Sequence, residues 1–444
     1  MGYVSNTSED RAAMLKSIGI DQFSELLEPI PVSIQLNRLL DLPEPLDEYS
    51  LTRTLSELAD KNQSGHNYLS FLGAGIYDHF RPAVVAQLSG RGEFSTSYTP
   101  YQPELSQGML QTLYEFQTLM CALTGMDLAN ASMYDGATAI AEAALMAAAL
   151  TGRKDVIIPS SIHPHYKQVL GAYLRWTGYN LRTIERLYDH PEKVLDENTA
   201  CVIIQNPDFF GNLCDYKQVI EKAHSVGALA IVSADPISLG ILKPPSEYDA
   251  DIVVGEGQSL GSPCGFGGPL LGFFACKKKF LRHFPGRIVG ATLDGEGRRG
   301  YTMTLRTREQ DIRREKATSN ICTNQTLLAV AATIYLSVIG KSGLIQAADL
   351  CLQKANYAKT RLCSISGVQP LFPDSKSYKE FALRIPISSE RLNRELLKER
   401  IMGGYPLNHY FPQYGNSMLV CVTETKSRVD IDRFVQAVER IIQS

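Results

Sequence analysis

The chain lacks a strong excess of charge of either sign, and its cysteines lack the spacing of a metal site. Its 444 residues include 44 Lys and Arg against 47 Asp and Glu, for a net charge of -3. A nucleic-acid surface needs clustered positive charge, so we expect no nucleic-acid partner. The nine cysteines form no C-x-x-C pair and have no nearby histidine at zinc spacing. We therefore expect reduced thiols and no metal site.

Long hydrophobic runs are also missing. The longest, residues 137–150, is rich in alanine, contains Glu142 and is too short to cross a bilayer. Residues 1–14 are polar and acidic, without the apolar core of a secretory signal or the arginine-rich composition of a transit peptide. The sequence therefore predicts a cytoplasmic, bacterial-type protein with no membrane association. Small molecules or other proteins are its expected partners.

What the sequence does have is enough apolar material for several packed units, since 44% of its residues are hydrophobic. Residues 1–64 carry short helical patterns broken by prolines, which predicts a helical N-terminal arm. Residues 65–325 alternate short apolar runs with helices, which predicts a large α/β domain. Residues 326–444 predict a linking helix followed by a small C-terminal α+β domain.

The apolar runs of the large domain are continuous rather than alternating, which is typical of parallel strands covered on both faces. Strands are predicted at residues 155–159, 199–204, 229–233, 251–254, 270–275, 380–387 and 417–423. Helices are predicted at residues 104–124, 137–151, 324–338, 343–364, 389–402 and 430–443. The fold class is thus α/β with a mixed, mainly parallel sheet. The layout resembles that of fold-type I pyridoxal-phosphate enzymes (aspartate aminotransferase-like), although a fold alone does not specify a reaction.

In that fold the cofactor phosphate lies at a helix N-terminus, where free backbone N–H groups and the helix dipole favour an anion. Gly136, Ala137 and Thr138 open the alanine-rich helix and fit this position. An ordinary capped helix start explains the same residues.

Two further residues follow predicted strands, where ligands of α/β proteins gather. His163 is placed to stack a flat ring on the cofactor, and Asp235 is placed to pair with its pyridine nitrogen. A structural histidine and a plain turn acid before Pro236 are equally compatible with the sequence.

Four longer strings resemble the N-terminal half of glycine decarboxylase, the P-protein of the glycine cleavage system. They are Phe71-Leu-Gly-Ala-Gly-Ile-Tyr77, Ser97-Tyr-Thr-Pro-Tyr-Gln-Pro-Glu104, Gly265-Phe-Gly-Gly-Pro269 and Arg314-Glu-Lys-Ala-Thr-Ser-Asn-Ile-Cys-Thr323. That family exists as one long chain of two homologous halves or as two separate subunits. This chain has the length of one half, so it resembles the first subunit of the split form.

The resemblance also identifies a missing amine. In the family's cofactor-bearing half a His-Lys pair precedes the glycine-rich run, and that lysine forms the Schiff base with pyridoxal phosphate. Here Gly257 and Gln258 occupy the two positions. An amide cannot form an imine, so the nucleophile of covalent catalysis is absent at this point. Lys277, Lys278 and Lys279 lie just beyond and could make a self-sufficient enzyme, although a solvated basic face is the commoner explanation.

Fold-type I enzymes build their sites at dimer interfaces, so a chain without the lysine can complete a partner's site. Tyr98 and Tyr101, on a proline-fixed turn, are predicted to contribute phenol groups to that site. Thr323 and Asn324, before the long apolar helix, are predicted to contact the cofactor across the interface. The tyrosines could instead be packing anchors, and the whole chain could be a structural or regulatory scaffold.

The basic residues at 306–316 could steer an anionic cofactor or line a channel for a lipoyl arm. For Arg306 and Arg308 we favour a solvated surface face.

The resemblance implies a reaction and its participants. Glycine is decarboxylated with pyridoxal phosphate bound covalently on the partner subunit and not on this chain, and the aminomethyl group passes to lipoamide of the H-protein. The implied partners are the pyridoxal-phosphate-bearing second subunit of glycine dehydrogenase and the lipoyl H-protein. Two copies of each subunit are expected in the complex.

Overall fold

The protein is described by a computed structural model of the 444-residue chain. The structure describes residues 5–65, 67–96, 98–185 and 187–444. They divide into two compact units, with the boundary between Gln63 and Ser64. The three-domain division at residues 64 and 325 stays a prediction.

The N-terminal unit contains two helices, α1 (Ser8–Ser17) and α2 (Glu48–Ala59). Thr7 caps α1 by accepting a hydrogen bond from the Asp10 N–H, and the Asp10 carboxylate accepts one from the Thr7 N–H. No described residue between 5 and 63 is buried. This unit therefore has no hydrophobic core of its own.

The second unit contains the remaining helices. They are α3 (Ala83–Ser89), α4 (Gly92–Ser95), α5 (Gln107–Thr124), α6 (Gly136–Thr151), α7 (Pro164–Leu174), α8 (Lys217–Ser225), α9 (Gln310–Arg313), α10 (Thr326–Cys363), α11 (Ser389–Lys398) and α12 (Arg428–Gln443). Helix α6 shows how local sequence sets its limits. Asp135 caps its start by accepting a hydrogen bond from the Thr138 N–H, and Gly152 ends it with a left-handed backbone (φ 68°).

The strands, numbered in chain order, form one large sheet and three small ones. They are β1 (Leu69–Ser70), β2 (Leu128–Ala129), β3 (Asp155–Pro159), β4 (Asn180–Ile184), β5 (Thr199–Asn206), β6 (Leu229–Ala234), β7 (Ile252–Glu256), β8 (Gly272–Cys276), β9 (Ile288–Leu293), β10 (Arg299–Thr304), β11 (Gln369–Pro370), β12 (Glu380–Arg384), β13 (Ile401–Met402), β14 (Tyr405–Pro406) and β15 (Ser417–Cys421).

The large sheet has seven strands in the order β2-β8-β7-β6-β5-β3-β4. Strands β7, β6, β5, β3 and β4 are parallel, whereas β8 is antiparallel to both of its neighbours. Alternate side chains of each strand enter two separate hydrophobic cores. Val202 and Ile204 of β5 pack in one core, and Cys201 and Ile203 pack in the other. Both faces are covered, which explains the continuous apolar runs in the sequence.

Helix α10 joins the large sheet to a C-terminal sheet of four antiparallel strands, ordered β11-β12-β15-β14. Its first part packs in the core of the large sheet and its last part packs in the C-terminal core. Gly340 interrupts it with non-helical backbone (φ 60°, ψ -171°), which matches the two helices predicted here. The helix is long and apolar enough to cross a membrane, with a mean hydropathy of 1.7 over its best window. Its place in two cores of the chain accounts for that composition.

The mixed, mainly parallel sheet and the small C-terminal sheet confirm the predicted fold class. The predicted strands and helices are present, with shifted ends. Helix α11 ends at Lys398 rather than at 402, because the chain turns into β13, which pairs with β1. Strand β4 and the β9–β10 hairpin were not predicted.

Candidate functional site

A cavity lies at the carboxyl ends of the parallel strands, where the sequence placed the candidate site. Its lining includes Gly75, Tyr77, His163, Tyr166, Gln205, Asp208, Asp235, Glu256, Gln258, Lys379 and Glu380. Its free volume is about 40 Å³. Small-molecule sites are on the order of 300–1,000 Å³, so this cavity has room for little more than a few water molecules.

The Glu256 carboxylate lies at the start of helix α6. One of its oxygens accepts a hydrogen bond from the Gly136 N–H at 2.9 Å, and the other accepts from the N–H groups of Gln258 and Leu271, both at 2.9 Å. Burial raises the pKa of Glu256 to about 7, although these hydrogen bonds lower it. A side chain of the protein thus holds the anion position at this helix end.

The same helix start carries a second carboxylate. Asp135 accepts a hydrogen bond from the Thr138 N–H at 2.7 Å. Of the predicted phosphate-binding residues Gly136, Ala137 and Thr138, two therefore already have their N–H groups engaged by carboxylates. A Cβ on Gly136 would lie 2.7 Å from the Tyr166 hydroxyl, so the helix start is also tightly packed.

Gln258 binds the backbone of Tyr77 through both ends of its amide. Its oxygen accepts from the Tyr77 N–H at 2.9 Å, and its nitrogen donates to the carbonyls of Tyr77 at 3.1 Å and Ser262 at 2.9 Å. Gln258 is only 1% exposed. The residue at the predicted lysine position is thus a fully engaged structural amide.

Asp235 forms a buried ion pair with Lys379. The Lys379 Nζ lies 2.5 Å from the Asp235 carboxylate and 3.5 Å from the centre of the Tyr77 ring. Asp235 also accepts from the Ile237 N–H at 3.0 Å. Lys379 is 2% exposed, and although burial lowers its pKa, the charge of Asp235 raises it above its ordinary value. The predicted pyridine partner is therefore held by an internal ammonium group.

Lys379 continues into a chain of polar groups. Its Nζ lies 3.1 Å from His79 Nε2, and His79 Nδ1 lies 2.7 Å from the Glu424 carboxylate, which also accepts from Cys351 Sγ. Because Lys379 can only donate, His79 accepts on Nε2 and donates from Nδ1. Burial raises the pKa of Glu424, but the hydrogen bond from His79 brings it down to about 2. His79, Cys351 and Glu424 are close enough to bind a metal ion, yet the neighbouring ammonium opposes a cation there.

His163 packs against Tyr166, with ring centres 4.7 Å apart and planes inclined by 28°. Its Nδ1 accepts from the His165 N–H, so Nε2 carries the proton and donates to the Ala74 carbonyl at 2.8 Å. Burial lowers the pKa of His163 to about 4, which keeps the ring neutral. The predicted stacking residue is thus stacked on a side chain of α7, the helix that it caps.

Glu380 holds the segment that covers the cavity. Its carboxylate accepts from the Ala74 N–H and from the Tyr77 hydroxyl, both at 2.7 Å. Burial raises the pKa of Glu380 to about 7. The string of residues 71–77, which had no assigned role in the sequence, is thus fixed over the cavity by Glu380 and Gln258.

The three consecutive lysines lie elsewhere. Strand β8 is antiparallel to β7, so its last residue faces the beginning of β7, at the opposite edge of the sheet from the cavity. Lys277 Nζ bonds Asp249 at 2.7 Å and Asp251 at 2.9 Å, and Lys279 Nζ lies 3.3 Å from Asp251. The sequence favoured a solvated face for these lysines, and Lys278 and Lys279 are exposed.

Arg287 joins two segments that the sequence singled out separately. Its guanidinium donates to the hydroxyls of Thr99 at 3.3 Å, Thr323 at 3.2 Å and Tyr101 at 3.0 Å. Arg287 is 5% exposed, and its Nε lies 3.9 Å from Glu309. Since each hydroxyl accepts from Arg287, each keeps its own proton to donate elsewhere.

The other predicted interface residues differ in their surroundings. Tyr98 is 82% exposed and Tyr101 is 51% exposed, whereas Ser97 of the same string lies outside the described residues. Asn324 is engaged internally, because its amide donates to the Ala131 carbonyl and the Ser132 hydroxyl, both at 3.0 Å. The roles of these residues in a partner's site stay predictions.

The surface face that we favoured for Arg306 and Arg308 fits Arg306, whose side chain is 37% exposed, but not Arg308. Arg308 is partly buried and donates to the carbonyls of Phe284 and Gly286. The Arg306 guanidinium lies 5.7 Å from the centre of the Tyr101 ring and pairs with Asp311 at 2.5 Å. Tertiary contacts that sequence spacing does not reveal hold both side chains.

Sequence reasoning missed Glu256, Lys379, Glu380 and Arg287. A usable signal existed for the pair Lys379-Glu380, because two adjacent charges precede an apolar run that forms a buried strand. Charges at such positions are buried only when they have partners. For Arg287 we find no comparable signal.

The fold and the position of the cavity define a class of protein. The chain resembles a sphingosine-1-phosphate lyase from Burkholderia pseudomallei (TM-score 0.65, 15% identity, 93% of this chain and 94% of that one). It also resembles the cysteine desulfurase CsdA from Escherichia coli (TM-score 0.62, 14% identity, 87% and 98%). At these identities the likeness shows the fold, which is that of fold-type I pyridoxal-phosphate enzymes.

Closer relatives specify the family. A family model described as glycine cleavage system P-protein matches residues 1–438. A protein of Desulforamulus reducens named probable glycine dehydrogenase (decarboxylating) subunit 1 is 50% identical (97% of this chain, 98% of its own length), and one of Desulfitobacterium hafniense with the same name is 48% identical (99% and 100%). A crystal structure of inhibitor-bound glycine decarboxylase (P-protein) superposes with a TM-score of 0.91 at 43% identity, covering 99% of this chain and all of that one. The chain belongs to the glycine cleavage system P-protein family.

Proposed function

We propose that this chain is the lysine-free subunit of a two-subunit glycine decarboxylase. Its relatives of equal length are named subunit 1 of glycine dehydrogenase (decarboxylating), which supports the split arrangement. The observation that carries the proposal is Gln258. This buried amide stands where the family's lysine would be, and all its bonds go to backbone groups. Pyridoxal phosphate is then bound covalently on the partner subunit and not on this chain.

Pyridoxal phosphate, when bound, supplies the electron sink for the carbanion left when glycine loses carbon dioxide. The contribution of this chain is a set of hydroxyl groups in fixed positions. Thr99, Tyr101 and Thr323 surround one buried guanidinium, and the half-exposed Tyr101 directs part of its ring to the surface. Donors held in place before the substrate binds lose little freedom in the reaction. We propose that this face of the chain enters the partner's site.

The surface of the N-terminal unit is a further argument for an obligate partner. Many of its large apolar side chains are exposed, including Val32 (76%), Ile34 (72%), Leu39 (92%) and Leu42 (70%). Apolar surface on this scale marks an interaction site. We propose that the homologous second subunit covers it, that the complex holds two copies of each subunit, and that it acts in the cytoplasm. Lipoamide of the H-protein is the proposed acceptor of the aminomethyl group.

Two alternatives differ in what they require of this chain. A self-sufficient enzyme of the same fold would need Lys277, Lys278 or Lys279 in the cavity, but two of them bond acids at the opposite edge of the sheet. A scaffold subunit would need no side chain in any active site, and the Arg287 cluster of hydroxyls argues against that.

The first experiment separates this proposal from a self-sufficient enzyme. The purified chain, the purified second subunit and their mixture are incubated with carboxyl-labelled glycine, pyridoxal phosphate and lipoylated H-protein. We expect labelled carbon dioxide from the mixture and not from this chain alone. Borohydride reduction followed by peptide mapping should place the pyridoxyl group on the partner. A pyridoxyl group on a lysine peptide of this chain would overturn the proposal.

The second experiment separates it from a scaffold. Tyr98→Phe and Tyr101→Phe are each assembled with the second subunit, with Tyr179→Phe, next to the edge strand β4, as the matched control. Loss of turnover in an intact complex for either of the first two variants, with the control unchanged, supports a direct contribution. Unchanged turnover for both would favour the scaffold.

A further inference from the structure

Two buried side chains of this chain, one a carboxyl group and one an ammonium group, lie where the fold binds the phosphate and the ring nitrogen of its cofactor. The Glu256 carboxylate accepts from the N–H that opens helix α6. The Lys379 ammonium lies 2.5 Å from Asp235. A helix start of this kind favours an anion, and a buried carboxylate favours a cation.

We propose that the cofactor pocket of this chain is occupied by its own side chains, with the Glu256 carboxyl group as the acceptor at the start of α6 and Lys379 as the cation on Asp235. The pocket then excludes pyridoxal phosphate from reversible, non-covalent binding as well as from a covalent bond to a lysine. The inference goes beyond the missing lysine, since a pocket that lacks only its lysine would still bind the cofactor reversibly. It is also independent of whether the partner subunit is catalytic.

The electrostatics of the helix start are unfavourable for a phosphate. Asp135 and Glu256 both place a carboxyl group there and engage the N–H groups of Thr138 and Gly136, so two of the donors that a phosphate would need are already occupied. An adjoining groove of about 400 Å³ shares His163, Tyr166 and Glu256 with the cavity and is lined by the same two acids. Both acids therefore disfavour a phosphate in the groove as well.

Space is equally unfavourable. The free volume of the cavity is about 40 Å³. The Tyr77 ring lies 3.5 Å from Lys379 Nζ and Gln258 binds its backbone, so the covering segment is held in place at Tyr77. The residues present do not fit the cofactor, and we assign no chemical step to it on this chain.

The test opens the anion position and asks whether an added anion can refill it. Thermal unfolding of the full chain is measured for the wild type, for Glu256→Ala and for the exposed control Glu93→Ala. The probes are sodium formate, inorganic phosphate and pyridoxal phosphate, each matched with potassium chloride of equal ionic strength. We expect the midpoint of Glu256→Ala to be lower than that of the wild type and to rise by roughly 2–5 °C with formate or phosphate. The wild type and Glu93→Ala should not respond.

Several outcomes would overturn the proposal. They are an equal response of the wild type, no anion response of Glu256→Ala, and retention of one equivalent of pyridoxal phosphate by the wild-type chain in equilibrium dialysis. If Glu256→Ala does not fold, the cofactor content of the saturated wild-type complex decides. One pyridoxal phosphate per pair of subunits supports the proposal and two overturn it.

This result is distinguishable from a failure of the proposed function. Reversible binding of pyridoxal phosphate to this chain would overturn only the proposal that its pocket is occupied by side chains. Cofactor reduced onto a lysine of this chain overturns both.

Discussion

The side-chain amide of Gln258 pairs with the backbone of Tyr77 in both directions, donating at 3.1 Å and accepting at 2.9 Å. An amide can do both, whereas a lysine ammonium only donates and an ionised glutamate only accepts. The backbone of Tyr77 therefore favours an amide at position 258. The residue here has a structural role of its own and is more than a missing lysine.

Gln258→Lys is expected to weaken the chain without restoring a cofactor site. The buried Tyr77 N–H would lose its acceptor, at a cost of about 1–3 kcal/mol. Urea unfolding measures this loss, and borohydride reduction with pyridoxal phosphate should label no lysine at position 258. Gln258→Glu is the matched variant, since it keeps an acceptor for Tyr77 but turns its other oxygen toward carbonyls. Efficient labelling of the introduced lysine would contradict this account.

Arg287→Met is expected to slow the assembled enzyme while the complex stays intact. The guanidinium positions three hydroxyls, and small misplacements in a site can reduce turnover by roughly 100-fold. Arg287→Lys should recover only part of the rate, because one ammonium cannot reach all three hydroxyls. The measurement is kcat and KM for glycine in the reconstituted complex, with a larger change in kcat. Arg298→Met, on the exposed β9–β10 turn, is the control, and an equal effect there would remove the case for Arg287.

Glu142→Gln is expected to stabilise the chain more at pH 8 than at pH 5. Glu142 is 3% exposed within α6, and burial raises its pKa to about 7 although a hydrogen bond with Ser319 lowers it. Because the folded pKa is above the ordinary value of 4.5, the native state loses stability as pH rises from 4.5 to about 7. Glutamine has no such pH dependence. The difference in unfolding free energy between variant and wild type should grow by about 2–3 kcal/mol from pH 5 to 8. Exposed Glu115→Gln should show no such growth.

Phe71→Ala is expected to cost about 3–5 kcal/mol of unfolding free energy. The Phe71 ring is fully buried and stacks on Phe434 of α12, with centres 4.0 Å apart. Phe80, which is 63% exposed, provides the control, and Phe80→Ala should change stability by less than about 0.5 kcal/mol. Urea titration of both variants at one pH makes the comparison. Similar losses for the two would mean that burial does not set the effect.

The sequence predicted the parallel strands because a strand buried on both faces has a continuous apolar run, as in β5 and β6. Strand β4 lies at the sheet edge and mixes polar with apolar residues, so it has no continuous apolar run by which the sequence could reveal it. The β9–β10 hairpin is a similar case, since much of β9 is exposed. These strands are stabilised by tertiary neighbours, and the local sequence pattern does not show which residues those neighbours are.

Some residues of the candidate site could be predicted from local sequence and others could not. Gln258, His163 and Asp235 were found because each follows a predicted strand or aligns with a known string. Glu380 was not found, because its role depends on Tyr77, which is 303 residues away in the chain. Interactions between buried charges far apart in sequence leave no periodic pattern, and only the folded chain brings them together.

The bond between Glu256 and Gly136 spans 120 residues of chain. Closing a loop of that length costs free energy once, when the protein folds. Afterwards the carboxylate is present at a fixed effective concentration, which dilution of the protein or of any solute leaves unchanged. A reversibly bound phosphate, in contrast, would dissociate as the phosphate concentration fell. The start of helix α6 keeps its carboxyl partner for as long as the chain is folded.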